Sequence, residues 1–139
     1  MCQTVLCLYD SEEVLKSLEQ SLEPGFRLVS ATTVLNAVKQ MRKSAPDLIV
    51  VQLHLKEESC FDFLKIAQST VSEKEIPMVA VSAGETCDQT IETYLKRVCN
   101  YFGCTSYLSS EDFQSGALRF TLSQLMRKSG LAAVAHKVS

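Results

Sequence analysis

The sequence has no block of like charges, no long apolar run and no paired-ligand cysteine spacing, and each absence removes a class of function. Fourteen Lys and Arg against sixteen Asp and Glu give a formal charge of −2, so there is no basic footprint for a nucleic-acid backbone. Arg127-Lys128 with Lys137 is the longest basic cluster and reads as a solvated helix end. No apolar stretch reaches the roughly 18 residues of a membrane helix, and no basic segment followed by a hydrophobic one opens the chain. A cytoplasmic protein with neither nucleic acid nor membrane as partner is expected. The six cysteines, Cys2, Cys7, Cys60, Cys87, Cys99 and Cys104, form no CxxC and no Cys/His ligand set, and read as small hydrophobes in a reducing compartment. Cys104, beside a loop, is the one thiol expected to be reactive. Neither GxGxxG nor GxxxxGK[ST] occurs, so a nucleotide cradle has no support.

What remains is an alternation of apolar runs and helical patterns, repeated five times in 139 residues. Strands are expected at 4–9, 26–31, 47–53, 76–83 and 105–110, the third and fourth apolar throughout, as in parallel strands covered on both faces. The first helix is expected to cap at Asp10 or Ser11, with Leu15, Leu18 and Leu22 on one face, and to break at Pro24-Gly25. The second carries Val34, Leu35, Val38 and Met41; the third Phe61, Leu64 and Ala67. The fourth carries Ile91, Tyr94, Leu95, Val98 and Phe102 and stops at Gly103. The last runs from about 111 to 128 with Phe113, Leu118, Leu122 and Leu125 inward, its first half weakened by Gly116. The pattern predicts an α/β, (βα)5 flavodoxin-like three-layer sandwich with parallel sheet order 2-1-3-4-5. Its functional crevice would lie at the C-terminal ends of strands 1 and 3.

Just past those strand ends stand Tyr9 and Asp10, Gln52 and His54, Ser82 and Ala83, and Tyr107 with Ser109 and Ser110. "VLCLYDSEE", "PDLIVVQLHLKEESCFDFL", "IPMVAVSA" and "GCTSYLSSEDF" together resemble a bacterial response-regulator receiver domain from about residue 3 to 128. The resemblance implies a phosphoacceptor Asp at the end of strand 3, two acids after strand 1 that help it hold Mg²⁺, a Thr/Ser, a Lys and an aromatic switch residue. Carried over, the acceptor is Gln52, the acid pair Tyr9 and Asp10, the hydroxyl Ser82, the lysine position Ser110 and the aromatic Tyr107. Only Asp10, Ser82 and Tyr107 keep the pattern, and the usual Pro-Gly-x-x-Gly loop reads Lys56-Glu57-Glu58-Ser59-Cys60.

A Gln amide is no carboxylate nucleophile, and one acid makes a poor Mg²⁺ cage. The expectation is therefore a pseudo-receiver over 1–129 that has lost its acceptor, with no enzyme activity, no metal and no cofactor. Asp47 begins its strand, far from the reactive end, Asp62 is expected on an outer helix face, and His54 in an exposed loop. Residues 130–139 form a tail or the start of a following helix. A kinase or regulator partner is expected on the helix 4–strand 5–helix 5 face, and a homodimer is left open. Two alternatives also stay open. "LAAVAHKVS" resembles the start of a histidine-kinase H-box, with His136 as acceptor, which would make the chain a kinase fragment. Alternatively, the pocket that loses acids at 9 and 52 serves a small ligand.

Overall fold

The computed structural model describes residues 3–22, 26–53, 55, 59–82, 89–109, 112 and 117–126. Pro24-Gly25, His54, Ser110, Phe113, Gly116 and the tail with His136 lie outside the described residues, as do Cys2 and Cys87. The elements are β1 (Gln3–Leu8), α1 (Glu12–Ser21), β2 (Phe26–Ala31), α2 (Val34–Lys43), β3 (Leu48–Gln52), α3 (Cys60–Lys74), β4 (Met78–Val81), α4 (Gln89–Tyr101), β5 (Ser106–Leu108) and α5 (Ala117–Met126). All sheet pairings are parallel and the order is β2-β1-β3-β4-β5. This is the (βα)5 arrangement that the alternation of patterns predicts.

Side-chain parity divides the core in two. Val5, Cys7, Leu48, Val50, Val79 and Val81 pack with Val14 and Leu18 of α1 and Leu118, Leu122 and Leu125 of α5. Leu6, Leu8, Ile49, Val51, Met78 and Ala80 face the opposite way, toward residues of α2, α3 and α4. The central strands β3 and β4 are buried along their whole length, which explains why they read as continuous apolar runs instead of alternating ones.

Three side chains expected inside are outside. Leu35 is 64% exposed because the buried stripe of α2 is Val34, Ala37, Val38 and Met41, and Leu35 stands about 100° round the helix from Val34. On α4, Tyr94 (64% exposed) is one residue round from buried Leu95, and Ile91 (46% exposed) lies in the first turn. β3, β4 and β5 are shorter than expected, β4 by four residues and β5 by three, while β2 spans 26–31 as expected.

Local chemistry sets the helix ends. The Thr33 hydroxyl accepts from the Asn36 N–H at 3.1 Å, and the Ser59 hydroxyl from the Phe61 N–H at 3.3 Å. The C-terminus of α4 closes on Gly103, whose φ is +86°. Cys104 N–H donates to Cys99 C=O at 2.9 Å and Gly103 N–H to Asn100 C=O at 3.1 Å, the bonding of a Schellman motif. That motif brings its third-last helical residue against the residue after the left-handed one, and here both, Cys99 and Cys104, are cysteines. Cys104 is therefore not a reactive loop thiol. It is buried in the core beside Cys99 and Cys60. The side-chain hydrogen bond to Cys99, with burial, pushes the Cys104 thiol up, while the same bond draws Cys99 down.

Two predictions follow from this packing. Nothing lies within 4 Å of a Cβ added at Gly103, so Gly103→Ala meets backbone strain alone and lowers unfolding free energy by about 1–2 kcal/mol in urea denaturation. Burial raises the thiols of Cys7 and Cys60 from 9.0 to about 12. The folded chain thus holds thiol protons that the unfolded chain releases, and stability falls as pH rises from about 9 to 12. Cys7→Ala with Cys60→Ala reduces that alkaline loss, measured as denaturation midpoint against pH.

Candidate functional site

The C-terminal edge of the sheet gathers the loops after β1, β3, β4 and β5. Gln52 is the last residue of β3, paired in register with Val81, and its side chain is 2% exposed. Parity turns it toward the face of Leu48 and Val50, the α1 side. Its Oε1 accepts from the Asp10 N–H at 3.0 Å and the Ser11 N–H at 3.2 Å, while Nε2 donates to Asp10 Oδ1 at 2.9 Å. The partners fix which amide atom is which, because two N–H groups need an acceptor and a carboxylate needs a donor. The amide thus ties β3 to the start of α1. Ser11, the N-cap of α1, makes no side-chain capping bond of its own.

The remaining positions frame this pair. Tyr9 is half-buried, donates its N–H to Ala31 C=O at 3.0 Å and packs against the α1/α5 side of the core. Ser82 is fully buried just past β4, with its N–H donating to Leu108 C=O at 2.8 Å. Tyr107 pairs with Ala80 across β4–β5, packs against the α2/α3/α4 side of the core, and has its hydroxyl oxygen covered from solvent. Ser110 and His54 lie outside the described residues. Asp47 is at the opposite edge, accepting from the Thr4 N–H at 2.7 Å, and Asp62 is exposed on α3, both as expected.

Two features escaped the sequence reading. One is the direct Gln52–Asp10 bond. The other is a reciprocal cap after β5: Asp112 N–H donates to Ser109 Oγ at 3.1 Å and Ser109 N–H to Asp112 Oδ2 at 3.2 Å. The spacing Ser-x-x-Asp after a strand is the signal that could have found it.

A divalent cation does not fit these donors. Asp10 supplies the one carboxylate of the crevice positions described, and its Oδ1 is engaged by Gln52 Nε2. Gln52 Oε1 is held by two N–H groups, and Tyr9 offers at best a phenol. Among the described residues no group of three or more His, Cys, Asp or Glu could hold a metal ion.

No protein-family model and no curated protein matches this sequence. Solved structures do. A candidate response regulator from Chloroflexus aurantiacus superposes with TM-score 0.70 at 20% identity, over 91% of this chain and 98% of its own. The fold is that of a response-regulator receiver domain. The chemotaxis protein CheY4 of Vibrio cholerae is similar at TM-score 0.69 and 20% identity, over 90% of this chain and 99% of that one. NtrX from Brucella abortus, solved with ADP, matches all of this chain with 30% of its own length, at TM-score 0.70 and 16% identity. Among the described residues of this receiver fold, no helix is long and apolar enough to cross a membrane.

The Gln52 clamp yields a pH-dependent prediction. Gln52→Ala strands two N–H groups at the crevice and lowers stability by ~1–3 kcal/mol. Gln52→Glu keeps the accepting oxygen but sets a second carboxylate against Asp10 Oδ1, raising the pKa of the pair above the ordinary value of about 4. The folded variant then binds more protons than the unfolded chain. Its deficit against wild type therefore grows as pH rises from about 4 to 7 and closes again in acid, read as unfolding midpoints across that range.

Proposed function

We propose that this chain is a receiver-like signalling module that takes no phosphoryl group and acts by protein–protein contact in a two-component-type pathway. The observation that carries the reading is the buried Gln52 amide. It occupies the strand end where the receiver pattern has its acceptor, it cannot form an acyl phosphate, and it already bonds Asp10, the acid that keeps the pattern. Ser at position 110 in place of Lys removes the cation that would balance a bound phosphate. These departures support one another: the acceptor carboxylate, the second acid and the lysine are absent and Asp10 is engaged by Gln52, while the scaffold is kept.

The module spans about 1–129 in this reading, with 130–139 as a tail or the start of a following helix. Its match to 30% of the length of NtrX agrees with a unit that can sit inside longer proteins. The partner, a kinase or regulator, would dock on the α4–β5–α5 face. Exposed Ile91, Tyr94 and Tyr101 on α4 and Phe120 on α5 support that placement, because aromatic residues are enriched at interface centres. A second copy of the chain is an equally suited occupant. The modest negative charge speaks for protein over nucleic acid as partner.

The test is an amide-resolved NMR titration with Mg²⁺ and then beryllofluoride, a phosphoryl mimic. The expected result is no saturable shift at Asp10, Gln52, Ser82 or Tyr107. Gln52→Asp alone does not restore binding, since Tyr9 and Ser110 still supply neither acid nor lysine. Saturable shifts at those amides in the wild type would overturn the reading.

A further inference from the structure

The geometry points to a second binding site, at the opposite edge of the sheet from Gln52, for a small organic carboxylate. Parallel pairing sets Thr4 beside Arg27 and Leu6 beside Val29. Leu6 and Val29 belong to the core beneath α2, so Thr4 and Arg27, two residues away on each strand, lie on that same face. The helix stops short of them: Met41 is its last buried residue and Lys43 its last residue. The uncovered corner is a cavity of about 110 Å³ lined by these four residues together with Gln40, Lys43, Ser44 and Pro46.

Its chemistry is one-sided. Arg27 and Lys43 both line the cavity and, among the described residues, no acidic side chain does. Lys43 alone would be accounted for by the negative end of the α2 dipole. Arg27 stands at the exposed, uncovered end of β2 and adds a second positive charge to the recess that the α2 dipole does not account for. An anion in the recess is attracted by both cations that line it. The guanidinium fork matches a carboxylate in a bidentate pair, and Thr4 and Gln40 add neutral hydrogen-bonding groups.

Leu6, Val29 and Pro46 supply an apolar floor, which separates an organic carboxylate from a bare inorganic anion. A dry cavity of about 150 Å³ holds benzene, so the space suits a hydrocarbon body of a few carbons. The site uses none of the crevice residues and stands whether or not Gln52 has replaced an acceptor.

The test is an amide-resolved NMR titration with sodium butyrate against sodium chloride at matched ionic strength. The expected result is a saturable shift at Thr4, Leu6, Arg27, Val29 and Gln40. Arg27→Gln and Lys43→Gln each weaken it about tenfold or more, while the Asp10 and Ser11 amide signals stay in place as the sign of an intact fold. Absence of saturation, or equal affinity in both variants, would overturn the proposal. So would inorganic phosphate binding the same residues more tightly than butyrate, since the apolar floor would then contribute nothing.

Discussion

The crevice of this protein is organised by one side-chain amide. Gln52 has a donor and an acceptor on a single planar group, and both are engaged by the β1–α1 turn: Oε1 by two backbone N–H groups, Nε2 by Asp10. A carboxylate at the same reach could serve the N–H groups but would repel Asp10, and would need a cation or a proton to settle there. The amide needs neither. A sheet edge that in the receiver pattern gathers charge is here closed by hydrogen bonds internal to the chain. The consequence reaches α1, whose N-cap Ser11 has no side-chain cap of its own and whose first backbone donors are met in part from β3.

The rest of the scaffold makes this placement reproducible. Gln52 is the end of a strand buried along its whole length and held between β1 and β4, so its position follows from core packing and not from a loop. Asp10 and Ser11 are held by the β1 pairing on one side and by α1 on the other. Ser82 and Tyr107 arrive by the same logic from β4 and β5.

How much of this could be read from the residues divides along physical lines. Continuous apolar runs and 3.6-residue stripes gave the elements and their order, because burial on two faces or one leaves a periodic trace. β2 at 26–31 and the Gly103 helix stop are where the residues put them. Leu35, Ile91 and Tyr94 were misplaced because an apolar residue at the margin of a stripe carries no mark of which side it falls on. The Gln52–Asp10 bond joins residues 42 apart, and no local spacing encodes it. The depth of Cys104 was hidden in the same way: its neighbour Gly103 looks like a loop, and only the closed α4 terminus turns the next residue inward.

Arg27 has a meaning apart from any ligand. The sheet ends in β5, three residues long, on one side and in β2, six residues long, on the other. A six-residue strand with an open flank is a template on which another chain can add hydrogen bonds and begin a fibril. A charge set on the side of that strand which an incoming sheet would have to bury makes such addition unfavourable. The same guanidinium therefore helps to keep the molecule from polymerising through its longest unprotected margin.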